Sequence, residues 1–308
     1  MTTDSATRRR RAALRAGLVC AAGLAPAALG AATSTPAQAK QTAVAPPRIA
    51  VLKADGAALV KEGGLSTTWV TENTGVIQVA VAGDRIGVLK ADGTALVKEG
   101  GLSTNWVVEN TGVKQIALAG DRIGVLKADG TALVKEGGLS ATWVTENTDV
   151  KQIVLAGNRI GVLKADGTAL VKEGGLSTNW VVENTGVKQM ALAGDRIGVL
   201  KADGTALVKE GGLSTNWVTE NTDVKQIALA GDRIGILKSD GTALVKEGGL
   251  SATWVTENTG VIQIALAGNR IGVLLGGGAA LVKEGGLSAT WVTENTDTTQ
   301  LALAGGQD

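Results

Sequence analysis

Histidine, phenylalanine and tyrosine are absent from this chain of 308 residues, and cysteine occurs once. Without histidine, the usual zinc, copper and haem sites and the His-based catalytic triads are excluded. Without Phe or Tyr, any interior must be filled from Val, Leu, Ile, Ala and the seven Trp. Neither sign of charge dominates: the formal net charge is +1, so no basic surface points to nucleic acid. Long amphipathic stretches are missing too, since no segment between glycines combines ten residues with a 3.6-residue apolar period. What the chain has in quantity is glycine, 44 residues of it.

The first 39 residues read as a secretory signal peptide. Arg8 to Arg11 and Arg15 form a basic segment, Ala16 to Ala32 an apolar one, and Ala37-Gln38-Ala39 an A-x-A cleavage site. The paired arginines resemble a twin-arginine signal. A transmembrane anchor is the rival, but the apolar run is short, Gly-rich and broken by Pro26. Cys20 follows Val19 where a lipobox has a small residue, so no lipid anchor is expected. Cleavage removes five Arg and one Asp from the 30 basic and 29 acidic residues, leaving a net charge of −3 and no cysteine to pair. The mature chain is therefore expected outside the cytoplasm, without a membrane span, held together by packing.

The remainder is a tandem repeat. Trp69, Trp106, Trp143, Trp180, Trp217, Trp254 and Trp291 stand 37 residues apart, and the arginines from Arg48 to Arg270 keep the same interval. Seven units fill 48–306, preceded by a degenerate lead-in strand at 40–47 and followed by a tail at 307–308. Such periodicity outweighs any local motif in assigning the fold. The third unit holds four apolar runs of strand length: Arg122–Lys127, Thr131–Lys135, Trp143–Asn147 and Val150–Ala156. Asp129-Gly130 between the first two signals a hairpin. Four antiparallel strands repeated seven times predict an all-β, seven-bladed β-propeller. A parallel β-helix is the alternative, but its coils are shorter and rarely hold Asp-Gly hairpins. Ring closure should join residues 299–304 to the sheet containing Arg48–Asn73, because two prolines spoil the matching stretch at the N-terminal end. The last unit, with Leu275-Gly276-Gly277-Gly278 in place of the Lys-Ala-Asp-Gly turn, is expected to be the least regular.

Within each unit the order resembles the tectonin family of propeller lectins. The likeness is carried by a Trp, a short loop, Lys151-Gln152-Ile153-Val154-Leu155-Ala156-Gly157, the strand Ile160-Gly161-Val162, and Asp166-Gly167 before Ala169-Leu170-Val171-Lys172. Propellers of the regulator-of-chromosome-condensation type share the Ile-Ala…Gly and Leu-Lys-x-Asp-Gly elements. The tectonin resemblance implies a secreted or surface recognition module with sites repeated around the ring.

Candidate site residues follow from the repeat. Carboxylates for acid–base chemistry would have to converge from separate blades, and the strand and turn charges read as solvated, so no enzyme activity is expected. Asp129-Gly130 does not extend to a calcium loop and Gly137-Gly138 is not a phosphate loop, so neither metal nor cofactor is expected. The tryptophans are candidate platforms for a sugar face as well as bulk between blades. Strict alternation puts Trp143 and Asn147 on one side of their strand and Glu146 on the other. An inter-blade groove could then combine Trp143 and Asn147 with Glu109 or Glu183, repeated with Asn110 and Asn184 around the ring. The resulting expectation is a secreted, monomeric, multivalent binder of glycans or cell-surface polysaccharide. The alternative is a scaffold or inhibitor that binds a protein partner through the propeller face.

Overall fold

The computed structural model describes residues 45–305. Among them all regular structure is strand: twenty-eight strands, β1–β28, in seven antiparallel sheets of four. The chain is an all-β, seven-bladed propeller. One unit supplies β1 (Arg48–Lys53), β2 (Ala58–Glu62), β3 (Val70–Asn73) and β4 (Val76–Ala82), and the pattern recurs to β28 (Thr298–Ala304). Blades are offset from sequence units. The fourth strand of each unit crosses over to become the innermost strand of the next blade, so blade two runs β4, β5 (Arg85–Lys90), β6 (Ala95–Glu99) and β7 (Val107–Asn110).

The strands follow from composition. In β5 five consecutive residues are buried, because both faces of the sheet meet neighbouring blades. In β7 the first two residues are exposed, as suits the outer, wet edge. The core is divided into inter-blade layers. Leu126, Ala132 and Val134 of blade three, for example, pack on Val150, Ile153, Ile160 and Val162 of blade four. Gly124 allows this close approach: a Cβ there would lie 2.9 Å from Ile153 Cδ1. Blade one has Ala50 at that position, clustered with Val79 and Val81 of blade two.

Closure takes the expected form. β28 becomes the innermost strand of blade one and pairs with β1 from Arg48↔Ala304 to Leu52↔Gln300. Of the lead-in, Ala45 to Pro47 run as irregular backbone, and the Pro47 carbonyl accepts the Gly63 N–H at 2.9 Å. The signal segment, residues 40–44 and the tail lie outside the described residues.

The expected irregularity of the last unit is not found. Leu275-Gly276-Gly277-Gly278 makes the same turn as its sisters, with Gly278 at φ +82° and its N–H donating to Leu275 O at 2.9 Å. That geometry depends on a left-handed glycine and the backbone bond, both retained. Side-chain bonds of the other turns are lost: Thr131 N–H to Asp129 Oδ1 at 2.8 Å, and the lysine's bond to the neighbouring asparagine, such as Lys164 Nζ to Asn147 Oδ1.

Candidate functional site

The tryptophans sit between blades. Trp143 precedes β11 (Val144–Asn147) and is half-buried. Lys135 Nζ lies 5.1 Å from the centre of its ring, pairs with Glu109 of blade two, and donates to Leu139 O. The Lys135 and Glu109 side chains are 1% and 2% exposed. This clasp of lysine, indole and a neighbour's carboxylate recurs at every seam, including Lys61, Trp69 and Glu294 at the closure. There Trp69 Nε1 also donates to Glu294 O at 3.1 Å. A buried cation is tolerable only when matched in this way, and the ring face adds to the match. The expectation of solvated strand charges is thus corrected: one lysine and one arginine per blade are buried.

The expected grouping of side chains is also corrected. A bulge between β10 (Ala132–Glu136) and β11 pairs Ala132 with Asn147 and Leu133 with Thr145, leaving Glu146 as the extra residue. Alternation breaks there. Glu146 and Asn147 consequently both reach blade four, Glu146 to Lys172 and Asn147 Oδ1 to Lys164 Nζ at 2.9 Å. Trp143 faces the other way, toward blade two. Glu109 meets Trp143 through Lys135, while Glu183 pairs with Lys209 of blade five and belongs to the Trp217 clasp. Asn110 and Asn184 likewise accept from Lys127 and Lys201 at 2.9 Å.

Two further sets of side chains stitch the seams. Gln152 Nε2 donates to Met190 O at 3.1 Å and its Oε1 accepts the Met190 N–H at 2.9 Å, so one amide bridges two innermost strands. The same pair of bonds joins Gln300 of blade one to Val79 of blade two. Arg122 grips Glu136 of its own blade at 3.1 Å and the Gly174 carbonyl of the next, and Arg270 reaches Gly63 in the same way. The sequence alone does not single these residues out. Their signal is their invariance in a run of apolar neighbours, which seven near-copies of everything conceal.

Most of the charge differences between blades gather at one mouth of the channel. Each innermost strand opens with a bulge, for example between Val150 and Gln152, which turns the intervening residue out toward the wide mouth. In blade order these residues are Thr299, Ile77, Lys114, Lys151, Lys188, Lys225 and Ile262. A recess of about 650 Å³ lies beneath Thr299, Ile77, Lys114 and Lys151, floored by Gln78, Gln115 and Gln300. Lys188, Lys225 and Ile262 line a second recess. Deeper, the bore is aliphatic, bounded by residues such as Leu155, Leu192 and Leu229. Outside the mouth stand the hairpin aspartates. Asp129 is held below the ordinary aspartate value by the Thr131 backbone N–H, then by the Thr131 side chain, with smaller help from Lys127 and Lys114.

No protein-family model matches the chain, and no curated protein matches it. Solved propellers do. Yeast RCC1 (Prp20) bound to Kap60 is 11% identical with a TM-score of 0.60, covering 88% of this chain and 86% of its own. Prp20p from Saccharomyces cerevisiae, described with its binding properties to Gsp1p and histones, is 11% identical with a TM-score of 0.59, covering 78% and 81%. Human WBSCR16 is 12% identical with a TM-score of 0.57, covering 83% and 96%. At these identities the shared feature is the RCC1-like propeller fold. No helix among the described residues is long and apolar enough to cross a membrane.

Proposed function

We propose that this chain is an exported, non-catalytic scaffold that binds a protein partner through one face of its propeller. The observation that carries the reading is the location of the charge differences between otherwise matching blades. Gly75 against Asp149, Ile77 against Lys114, and Leu275 and Gly277 against Lys127 and Asp129 all lie at the wide mouth. Of the charge-changing positions, only the Asp84 series, with Asn158 and Asn269, lies at the other end. A ligand repeated at every blade calls for sameness, whereas a single partner without sevenfold symmetry calls for a face whose sectors differ. The carboxylates suit a structural role: the strand glutamates hold buried lysines and the hairpin aspartates accept backbone N–H groups. Yeast RCC1 and its Kap60 complex offer a protein-binding precedent on the same fold.

A second reading, a multivalent lectin, draws on the half-buried indoles that recur at all seven seams and on the tectonin resemblance. One experiment separates the two. Protein starting at Lys40 is offered to a random peptide library and to a glycan array. Enriched peptides whose binding survives joint Trp106→Leu, Trp143→Leu and Trp180→Leu support the protein scaffold, and polyvalent glycan binding markedly weakened by the same substitutions in a folded variant supports the lectin. Export is tested by N-terminal sequencing of the protein from culture medium, which should begin at Lys40.

A further inference from the structure

We propose that the wide mouth of the channel docks an acidic peptide segment of the partner that carries aliphatic residues beside its carboxylates. The carboxylates lie over blades three to six and the aliphatic residues over blades seven, one and two. The inference rests on the protein-binding reading above and adds the partner's chemistry.

The basic half is Lys114, Lys151, Lys188 and Lys225, at the bulged position of four successive blades. None has a carboxylate within ion-pair distance among the described residues. Lys151, Lys188 and Lys225 make only long bonds, 3.3–3.4 Å, to the carbonyls of Val187, Val224 and Val261. The hairpin acids that share this face feel these lysines only at longer range than an ion pair, with Lys114 acting on Asp129, and Lys151 on Asp166, as minor influences. Asp129 and Asp166 accept the Thr131 and Thr168 N–H groups, while Asp149 and Asp223 stand 3.9 Å from Lys164 and Lys238. Four neighbouring ammonium groups on one arc thus keep attraction to spare for an incoming anion.

The apolar half is Ile77 and Ile262, 54% and 52% exposed, on either side of Thr299. The fold does not require isoleucine there, since four sister blades use lysine at the same bulge. Blade seven extends the neutral sector: a Cβ at Gly276 would lie 3.7 Å from Ile262 Cγ2, and Gly277 replaces the hairpin aspartate. Exposed aliphatic groups gathered beside a recess mark a binding surface rather than scattered surface residues. A nucleic acid would ask for aromatic or arginine stacking partners, and the mouth offers neither. Carboxylates next to Leu, Ile or Val side chains in an extended peptide match both halves at once.

The test is fluorescence anisotropy on the chain from Lys40. The probe is a short fluorescein-labelled peptide of two leucines followed by four glutamates. Its comparators are tetraglutamate without leucines and an oligothymidylate. The leucine-bearing peptide should bind tightest. Lys151→Glu with Lys188→Glu should weaken it by about tenfold or more, and Lys188→Gln should shift it in the same direction by less. Ile77→Lys with Ile262→Lys should remove its advantage over tetraglutamate. Asn158→Glu with Asn269→Glu, at the opposite end, should leave it unchanged. Equal binding of tetraglutamate or oligothymidylate would make the mouth a general polyanion site and overturn the proposal, as would indifference to the lysine reversals or no binding at all. If library peptides still bind the Lys151→Glu/Lys188→Glu variant, the protein-binding reading stands and the mouth assignment alone falls.

Discussion

Substituting Gly124 by alanine tests how the blades fit together. The added Cβ would lie 2.9 Å from Ile153 Cδ1 and 3.2 Å from Leu155 Cδ1, both on the innermost strand of blade four. Carbon atoms pack comfortably at about 3.5–4.0 Å, so both methyls must yield. Overpacking of this kind costs roughly 1–3 kcal/mol. Replacing a strand glycine recovers about 0.5–1 kcal/mol of backbone entropy. The expected net effect is a loss of roughly 0.5–2 kcal/mol, read as ~2–4 °C in Tm per kcal/mol for a chain of this size. Blade one shows how the conflict is resolved, because Ala50 there meets Val79 and Val81 in place of Ile and Leu. In an Ile153→Val/Leu155→Val background, therefore, Gly124→Ala should be neutral or stabilising. The cycle of four proteins, melted thermally and in urea, should give a coupling of about 1–3 kcal/mol. Equal cost of Gly124→Ala in both backgrounds would refute the account of seam packing.

Breaking one clasp should be costly and replacing it should not. Glu109→Ala strands the buried Lys135 ammonium and should destabilise by about 3–5 kcal/mol, whereas Glu109→Leu with Lys135→Met should lose much less in the same melts. Deleting residues 298–308 removes β28 and the Gln300 bridge to Val79, and should lower Tm markedly; an unchanged melt would contradict the pairing of β28 with β1. Asp129 should titrate below the ordinary aspartate range when followed by carbon-detected NMR, because its charged form accepts the Thr131 N–H. Its folded pKa lies below its unfolded one, so its contribution to stability is present above the unfolded value and lost as pH falls through the folded value. A midpoint at or above the ordinary range would show that the hydrogen bond does not form in solution.

The fold was legible because the 37-residue interval, the Asp129-Gly130 type of hairpin and the prolines at 46 and 47 all constrain backbone. Backbone constraints leave marks in sequence. The clasp left none that could be read alone. Lys135 beside Glu136 looks like any solvated strand pair until the third dimension sets Lys135 against Glu109, 26 residues earlier and in another blade. The error over Asn147 had a single cause, one extra residue at Glu146 that reversed the alternation from there on. The last unit keeps its turn because the left-handed glycine, and not the Lys-Ala-Asp before it, sets the backbone. The mouth was written in the sequence all along, as Ile77, four lysines, Ile262 and Thr299, but it becomes a ring with two halves only once the chain closes.

The seam between blade seven and blade one, the blade that β28 completes, carries the same connections as the other six: a glutamine amide across the innermost strands, an arginine reaching the next loop, and a lysine between indole and carboxylate. These three connections therefore carry no mark of where the chain begins and ends. New termini could be opened at another glycine turn, such as Gly157-Asn158, and the old ones tied together, with each blade still meeting the neighbours it meets now. For the gene, the same property means that repeats can be exchanged between positions without disturbing a seam. Identity along the ring is then free to reside in the few side chains at the channel mouth, and a reshuffling of units would rotate or redraw that pattern while leaving the wheel that carries it intact.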